Sequence, residues 1–227
     1  FVTGVLVSVE SRDFEYGGKD QIFANNGPDV VIGGANDDVI DAGTDGAEDV
    51  VLGDDGFAIF NDQGQLELIQ TVAPSFGGKD WILTGGGRDF VLGGTDEDTI
   101  YSGVATTIGD GSDNDIVLGD NGMVSFIAND GDPLTLDLVE STDPLFGGDD
   151  VIFAGADQDI VFGGTGNDEI HGGDQHDVLL GDHGLYDFSL PVAQNFVSIF
   201  TGVSHGGGND QIFGDDGDDF ILGQQGD

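Results

Sequence analysis

Short apolar clusters recur along the chain at a fixed interval. Asp20, Asp29 and Asp38 stand nine residues apart, and each is followed two positions later by Ile or Val. The same ladder of Asp and aliphatic residues returns three more times further along the chain. Clusters this short, separated by Gly-rich stretches, do not show the spacing of an amphipathic helix. The fixed interval is the sequence signature of a repeat architecture.

A longer period includes these nine-residue repeats, each of which we call a rung. Gly17, Gly77, Gly147 and Gly207 begin equivalent units of similar length. Each complete unit contains four rungs, then Leu-Gly-Asp-x-Gly, then a stretch without the Asp ladder. The sequence predicts the tail of a preceding unit, three complete units and the start of a fourth, with the boundaries 1–16, 17–76, 77–146, 147–206 and 207–227. We therefore expect the chain to be a segment of a longer array.

The stretches without the ladder alternate like strands around a turn. In the first unit, residues 57–60 and 66–69 flank Asn61-Asp62-Gln63-Gly64, a sequence typical of turns. Residues 1–16 look like the end of such a stretch, because Val9-Glu10-Ser11 precedes Gly17 much as Val139-Glu140-Ser141 precedes Gly147. We predict a β-hairpin inserted into each unit.

Composition and charge exclude several classes of protein. The 227 residues include 42 Gly, 45 acidic residues, 4 Lys or Arg and no Cys, which gives a formal net charge of −41. Four cations cannot form a nucleic-acid-binding patch, no apolar run is long enough to insert into a membrane, and thiolate zinc sites are excluded. With 37% hydrophobic residues and 16 Phe, the chain is too apolar for disorder. It should fold once bound multivalent cations offset its charge.

The best single repeat runs from Gly163 to His171, Gly-Gly-Thr-Gly-Asn-Asp-Glu-Ile-His. It resembles the nonapeptide Gly-Gly-x-Gly-x-Asp-x-(aliphatic)-x of the repeats-in-toxin (RTX), or haemolysin-type calcium-binding, family. The resemblance extends over roughly two-thirds of the chain. It implies an all-β fold, a parallel β-roll (β-solenoid) of nonapeptide repeats with Ca²⁺ between turns that stack two repeats apart. It also implies a secreted, extracellular or cell-surface protein, commonly from a Gram-negative bacterium.

Within this family resemblance, the repeated Asp residues are the expected calcium ligands. Ca²⁺ prefers six to eight hard oxygen ligands, and closely spaced Gly allows backbone carbonyls to point at an ion. We expect on the order of ten ions, which would offset about half of the net charge. The predicted carboxylate ligands are Asp20, Asp29, Asp38, Asp49, Asp80, Asp89, Asp98, Asp115, Asp150, Asp159, Asp168, Asp177, Asp210 and Asp219. Backbone carbonyls are expected to contribute at Gly33, Asn36, Gly93, Asp96, Gly163 and Gly166.

Stacking of every second turn makes specific pairs. Asp20 with Asp38, Asp80 with Asp98, and Asp150 with Asp168 would line one edge, and Asp29 with Asp49, Asp89 with Asp115, and Asp159 with Asp177 the other. At the fourth loop position, where the family has Gly, this chain has Asn36, Asp96, Asp157 or Gln175. Asn and Asp tolerate a left-handed backbone, so these departures are mild for three of the four.

Asp54, Asp120 and Asp182 lie in loops that lack the family's sixth-position Asp. Three interpretations stay open for them: they cap the roll, they turn the chain into the hairpin, or they bind an ion in a nonstandard way. Capping is the interpretation we favour.

The strand neighbours of the aliphatic residues are themselves mostly apolar, as at Val30, Trp81, Phe90 and Phe162. An apolar outer surface is not left in water. We expect it to be covered either by the inserted hairpins, the interpretation we favour, or by another copy of the protein. For Trp81 and Phe90, packing is a better explanation than a platform for sugars.

The sequence favours a calcium-folded structural segment of a large adhesin, surface-layer or filament protein, with calcium and a homo-oligomer or filament as its partners. The alternative is a calcium-dependent array that serves an enzyme or toxin whose catalysis lies in another domain. We predict no catalysis here, because neither Gly-x-Ser-x-Gly nor a phosphate-binding Gly-rich loop is present. The His residues, expected at outward or turn positions, are His171, His176, His183 and His205.

Overall fold

A computed structural model describes residues 4–103, 114–188, 198–200 and 206–224. In these residues the chain forms 21 β-strands and no helix. Accordingly, the described part contains no helical segment of the length and apolar character needed to cross a membrane. The strands form three sheets of seven, which we call the open sheet, the covered sheet and the hairpin sheet.

The open sheet is parallel and contains the first and third rungs of each unit. Its strands pair in chain order, so that Gln21 lies opposite Val39 and Thr99 lies opposite Val151. Its strands are β2 (Gln21–Phe23), β4 (Val39–Asp41), β8 (Trp81–Leu83), β10 (Thr99–Tyr101), β14 (Val151–Ala156), β16 (Glu169–Asp174) and β20 (Gln211–Asp216).

The covered sheet is also parallel and contains the second and fourth rungs. Val30 lies opposite Val50, and Phe90 lies opposite Ile116, so insertions lengthen the spacing here beyond two nonapeptides without breaking the pairing. Its strands are β3 (Val30–Ile32), β5 (Val50–Leu52), β9 (Phe90–Gly94), β11 (Ile116–Asp120), β15 (Ile160–Phe162), β17 (Val178–Leu180) and β21 (Phe220–Leu222).

The hairpin sheet is antiparallel. Its strands are β1 (Ser8–Glu10), β6 (Gly56–Phe60), β7 (Leu66–Thr71), β12 (Gly122–Ser125), β13 (Leu138–Ser141), β18 (Leu185–Asp187) and β19 (Ser198–Phe200). The three inserted hairpins are β6–β7, β12–β13 and β18–β19. Neighbouring hairpins pair through β7 with β12 and β13 with β18, and β1 pairs with β6 in the same way. The prediction of inserted hairpins is confirmed.

The first core lies between the open and covered sheets. It is built from the aliphatic residue that follows each ladder Asp by two positions, such as Ile82, Val91 and Ile152, all of which have no exposed surface. Because strand side chains alternate between faces, these central residues point inward while both of their neighbours point outward. The nonapeptide thus produces the β-roll that the sequence predicts.

The second core lies between the covered sheet and the hairpin sheet. Phe90 and Leu118 of the covered sheet pack against Ile69, Val124 and other buried residues of the hairpins. The Phe90 ring also meets the Phe126 ring edge-on at 5.5 Å. The hairpins of the same chain therefore cover one outer face of the roll, as favoured above. In the described residues, no element of the chain covers the outer face of the open sheet, where Trp81 stays exposed.

Candidate metal-binding turns

Carboxylates form a continuous ladder along one edge of the roll, where the turns enter the open sheet. The backbone N–H of Asp80 donates to Asp98 Oδ1 at 2.8 Å, and the N–H of Asp98 donates to Asp150 Oδ1 at the same distance. The ladder thus crosses from one unit to the next without a gap. Its members, each accepting from the preceding Asp, are Asp38, Asp80, Asp98, Asp150, Asp168 and Asp210, with Asp20 as the first donor.

A second ladder of the same kind follows the other edge, where the turns enter the covered sheet. Here the N–H of Asp29 donates to Asp49 Oδ1 at 2.9 Å, and that of Asp159 donates to Asp177 Oδ1 at 2.9 Å. The accepting residues are Asp49, Asp89, Asp115, Asp159, Asp177 and Asp219. The structure therefore brings the predicted carboxylates together in the predicted pairs, and all fourteen lie in one ladder or the other.

The second oxygen of many ladder carboxylates is buried without a hydrogen-bond donor. At Asp98 and Asp150, for example, about 1% of the residue is exposed, and Oδ2 has no donor. A buried charged oxygen without a partner is costly, so each of these atoms requires a proton or a cation. The residues with such an Oδ2 are Asp29, Asp38, Asp80, Asp98, Asp115, Asp150, Asp168, Asp177 and Asp210.

The glycines beside the ladder allow oxygen atoms to approach more closely than any side chain would permit. A β-carbon placed on Gly93 would lie 2.4 Å from Asp98 Oδ2 and 2.0 Å from the carbonyl oxygen of Gly119. One on Gly163 would lie 2.4 Å from Asp168 Oδ2 and 2.3 Å from the Gly181 carbonyl oxygen. Carboxylate and carbonyl oxygens from different turns therefore converge beside each glycine, and hard oxygens of both kinds are what Ca²⁺ prefers.

The carbonyls of Gly53, Gly119 and Gly181 are a contribution that the sequence analysis missed. These residues lie in the Leu-Gly-Asp turns, which lack the family's sixth-position Asp. They nevertheless face the glycine and carboxylate of the turn below, as Gly53 does at Gly33 and Asp38. The signal that could have found them is the stacking register, which places each one directly above a nonapeptide glycine.

The fourth loop position adopts the left-handed backbone that the family provides with Gly. Asn36, Asp96 and Asp157 have φ of 76°, 72° and 78°, and Gln175 has φ of 80°. The expectation for Asn and Asp is met, and Gln175 takes the same conformation despite its longer side chain. The turns thus keep the family's backbone shape at these substituted positions.

Burial raises the pKa of the ladder carboxyl groups. The pKa of Asp80 and of Asp168 rises from 3.8 to about 8, and that of Asp38 to about 6, chiefly through burial and then through neighbouring carboxylates. Asp98 and Asp150, deeper in the ladder, have a pKa well above the ordinary value for the same reasons. The ladders are therefore arranged to take up positive charge, as bound cations or as protons.

No three acidic or histidine side chains converge on a single point anywhere in the described part of the chain. Each turn contributes one ladder carboxylate, so backbone oxygens would have to complete the donor set of a bound ion. The residues fit Ca²⁺, which accepts carbonyl oxygens freely, better than a transition metal that selects imidazole or thiolate. When bound, Ca²⁺ would supply positive charge to the buried Oδ2 atoms and join adjacent turns.

Asp54, Asp120 and Asp182 fasten one unit to the next. Asp54 accepts from the backbone N–H of Gly78 at 3.1 Å and from that of Thr95 at 2.6 Å, both in the following unit. Asp120 and Asp182 accept equivalently from Gly148 and Gly208 at 3.0 Å. These carboxylates lie inside the array at each joint between units, so they do not cap an end of the roll. Burial, followed by the charge of Asp80, raises the pKa of Asp54 to about 9.

The histidines occupy three kinds of position. His171 points outward from the open sheet and His176 lies in an exposed turn, as expected. His183 also lies in a turn, but it is only 2% exposed, next to Thr165 and Gln224. His205 lies outside the described residues.

Four segments of the chain match the family model of the RTX calcium-binding nonapeptide repeat: residues 16–47, 75–104, 146–182 and 206–227. Together they include just over half of the chain, and each contains nonapeptide rungs of one unit. No curated protein and no solved structure matches the chain.

Proposed function

Because the chain belongs to the RTX calcium-binding nonapeptide repeat family, we propose that this calcium-binding repeat region is a structural segment of a large bacterial protein. We propose an adhesin, surface-layer or filament protein that is secreted or displayed on the cell surface and folds on extracellular Ca²⁺. The observation that carries this proposal is the pair of carboxylate ladders with buried, unpartnered Oδ2 atoms. The proposed role is structural rather than catalytic, since the buried acidic residues repeat along the whole roll instead of forming one cleft.

Calcium acts as the folding trigger in this proposal. With a net charge of −41, the chain opposes compaction wherever free Ca²⁺ is scarce. Where Ca²⁺ is abundant, ions at the ladder turns offset that charge, and their binding free energy becomes folding free energy. The same chain is thus unfolded and exportable on one side of the membrane and folded on the other.

The test is a Ca²⁺ titration of EDTA-stripped protein followed by circular dichroism. We expect a cooperative gain of β-signal with Ca²⁺ and a much weaker response to Mg²⁺, which keeps its waters and demands octahedral geometry. A protein that is fully folded in EDTA and indifferent to Ca²⁺ would overturn the proposal.

The open sheet supports a second part of the proposal, association with another copy of the chain. Its outer face is mostly apolar, and Phe23 and Phe213 are 59% and 42% exposed. Of the two outward residues in each paired triplet of this sheet, only Asp41 and Glu169 are acidic. This face is therefore where a second copy meets the least charge repulsion.

The rings on this face are stacked on one another. The Phe153 ring lies between Tyr101 at 5.0 Å and His171 at 4.6 Å, and His171 also stacks on Phe213 at 4.5 Å. Because both faces of Phe153 are occupied, the ladder of rings offers no free ring face there for a sugar. It suits packing against a flat sheet, and the chain already covers its other sheet in that way.

Sedimentation velocity in saturating Ca²⁺ tests this second part. Seven strands about 4.8 Å apart make a strip about 30 Å long, so we expect weak association that grows with protein concentration. The double variant Phe153→Gln with Phe213→Gln should remain monomeric. Leu134→Gln, at a residue 72% exposed on a hairpin loop, is the control and should associate like the parent. A parent protein that is monomeric throughout would reject self-association and leave the calcium proposal standing.

A further inference from the structure

One position differs in chemistry between the three units, although its backbone carbonyl makes the same hydrogen bond in the first two. It is the fourth residue of Leu-Gly-Asp-x-Gly, occupied by Asp55, Asn121 and His183. The carbonyl of Asp55 accepts from the Val72 N–H at 2.8 Å, and the carbonyl of Asn121 accepts from the Thr142 N–H at 2.8 Å. The three side chains are 3%, 2% and 2% exposed, so each is enclosed at the joint between units.

In the second unit, this niche is lined by oxygen atoms. Asn121 Nδ2 lies 3.0 Å from the Gly94 carbonyl oxygen, 3.1 Å from Thr95 Oγ1 and 3.2 Å from the Phe146 carbonyl oxygen. An amide nitrogen carries only two hydrogens, so three oxygens surround a group with partial positive charge. The second niche is satisfied by the protein's own donor.

The third unit again places a nitrogen in the niche. His183 Nε2 lies 3.1 Å from Oγ1 of Thr165, the residue that corresponds to Thr95. A β-carbon on Gly206, which corresponds to Phe146, would lie 3.1 Å from the same nitrogen. An imidazole nitrogen therefore stands where the second unit has its amide nitrogen.

In the first unit, the side chain in the niche carries negative charge instead of partial positive charge. Asp55 puts a carboxylate into the niche, and its Oδ1 would lie 3.9 Å from a β-carbon on Gly34, which corresponds to Gly94. Ser11 lies within hydrogen-bonding reach of the carboxylate, although its hydroxyl also donates to the Gly56 carbonyl oxygen at 3.2 Å, and Asp55 Oδ2 is buried without a donor. Ala35 stands where the second unit has Thr95, so the first niche lacks that hydroxyl. A buried carboxylate oxygen without a donor is costly unless a proton or a cation reaches it.

We propose that Asp55, together with backbone carbonyls at the positions that correspond to those around Asn121, forms a calcium site of a second type, present at the first joint and replaced by a side-chain nitrogen at the other two. The site goes beyond the proposed nonapeptide ladders, because Asp55 belongs to neither of them. Its donors would be one carboxylate and the backbone oxygens of Gly34 and Phe76, which correspond to Gly94 and Phe146 of the second unit, a set that Ca²⁺ accepts. The ion would take the place that Asn121 Nδ2 takes one unit later.

The test exchanges the residues between the two joints and counts bound Ca²⁺. Asp55→Asn should lose one ion and Asn121→Asp should gain one, measured by native mass spectrometry and by equilibrium dialysis of the whole chain. Asp62→Asn, at an exposed hairpin turn, is the control for lost charge and should leave the count unchanged. Circular dichroism in Ca²⁺ verifies that each variant is folded. Asp55→Asn introduces the residue that the second unit has at this position, so we expect it to fold. Its ion count tests the proposed site even if Asn121→Asp fails to fold.

An unchanged ion count in folded Asp55→Asn would overturn the inference. If that variant were also more stable than the parent at neutral pH, the buried carboxyl would be carrying a proton instead of sharing an ion. A parent chain that binds no Ca²⁺ would instead reject the proposed function, so the two failures are distinguishable.

Discussion

Each ladder Asp has two oxygens with two different tasks. Oδ1 of Asp98 accepts the N–H of Asp80 and fixes the spacing of two rungs, while Oδ2 lies beside Gly93 of its own turn, where the Gly119 carbonyl of another turn also approaches. The short Asp side chain keeps both atoms close to the backbone of their own turn. Glu would move the second oxygen away from the glycine, and this explains why the ladder is built from Asp.

Asp98→Asn tests the second task alone. The Asn Oδ1 still accepts the Asp80 N–H, whereas the negative charge next to Gly93 is lost. We expect at least one fewer bound Ca²⁺ and a midpoint for calcium-induced folding about tenfold higher, or about 1.4 kcal/mol. Isothermal titration calorimetry measures both quantities. The same change at exposed Asp62 should alter neither, and an effect of equal size there would show that only net charge matters.

Ala73 is held in a left-handed conformation with φ of 55°, where the second unit has Asp143 with φ of 51°. A left-handed backbone costs an L-residue such as Ala about 1–2 kcal/mol. Ala73→Gly should therefore raise the free energy of unfolding by about 0.5–1 kcal/mol, measured by urea denaturation in saturating Ca²⁺.

Two matched changes control for the effect at Ala73. Ala128→Gly, in an exposed loop where Ala does not have positive φ, should lower stability by a few tenths of a kcal/mol. Asp143→Ala should also lower it, because Asp tolerates the left-handed region better. A loss of stability in Ala73→Gly would contradict the proposed strain.

Sequence alone identified the ladder residues because their period is local. The nine-residue interval fixes which Asp residues stack, and the structure keeps that order across the insertions. Asp54 could not be assigned in the same way, since its donors, Gly78 and Thr95, lie 24 and 41 residues further along the chain. The burial of His183 was missed for a related reason, because Gln224, 41 residues further along and in the next unit, donates to its carbonyl.

At the scale of elements, each hairpin is attached to the roll mainly by apolar packing. Ile69 of β7 has no exposed surface and belongs to the core between the hairpin sheet and the covered sheet. The ladder carboxylates, the proposed calcium ligands, lie in the turns at the edges of the roll, outside this interface. The two sources of stability are therefore separable by mutation.

Ile69→Ala should lower the free energy of unfolding by about 2–4 kcal/mol, because it removes buried methyl groups and leaves a cavity. The number of bound Ca²⁺ ions should stay the same, since no ladder turn is touched. Thermal unfolding in Ca²⁺ and native mass spectrometry measure the two effects. Ile127→Ala, at a side chain 40% exposed, is the matched control and should cost much less. A loss of ions in Ile69→Ala would show that hairpin docking and calcium sites are coupled.

The sequence predicted the hairpins but could not decide which roll surface they cover. Both sheets have apolar outward residues, such as Phe90 in the covered sheet and Phe153 in the open sheet, so hydrophobicity alone does not distinguish them. The three-dimensional path decides, because each hairpin leaves from the end of a covered-sheet strand and folds back over that sheet. The polar residues of third rungs, including Asp41 and Glu169, are the one sequence signal that marked the open sheet.

At the scale of the whole molecule, protons and Ca²⁺ compete for the same carboxylates. The pKa of Asp80 and of Asp168 is about 8 in the fold, above the ordinary 3.8 that applies to the unfolded chain. The metal-free fold therefore binds more protons than the unfolded chain, and its stability falls as pH rises from about 4 through 8. Ca²⁺ needs the ionised groups, so calcium affinity should show the opposite trend.

Circular dichroism between pH 5 and 8 checks both trends. In EDTA, the folded fraction should grow as pH falls, whereas the Ca²⁺ concentration needed for folding should rise over the same range. Calcium binding at pH 7 should release protons, which calorimetry in buffers of different ionisation enthalpy detects. Calcium affinity that is independent of pH would contradict the assignment of buried Asp80 and Asp168 as ligands.

The number of rungs in a unit has a consequence for the polarity of the molecule. Successive rungs alternate between the two parallel sheets, so an even count returns the chain to the sheet from which it started. With four rungs per unit, the three hairpins all emerge on the same flank, and the rod has one sheathed and one bare side along its length. Deleting a single nonapeptide would make the count odd and send every later hairpin to the opposite flank. The even number of rungs per unit, rather than any single residue, therefore keeps all the hairpins on one side of the array.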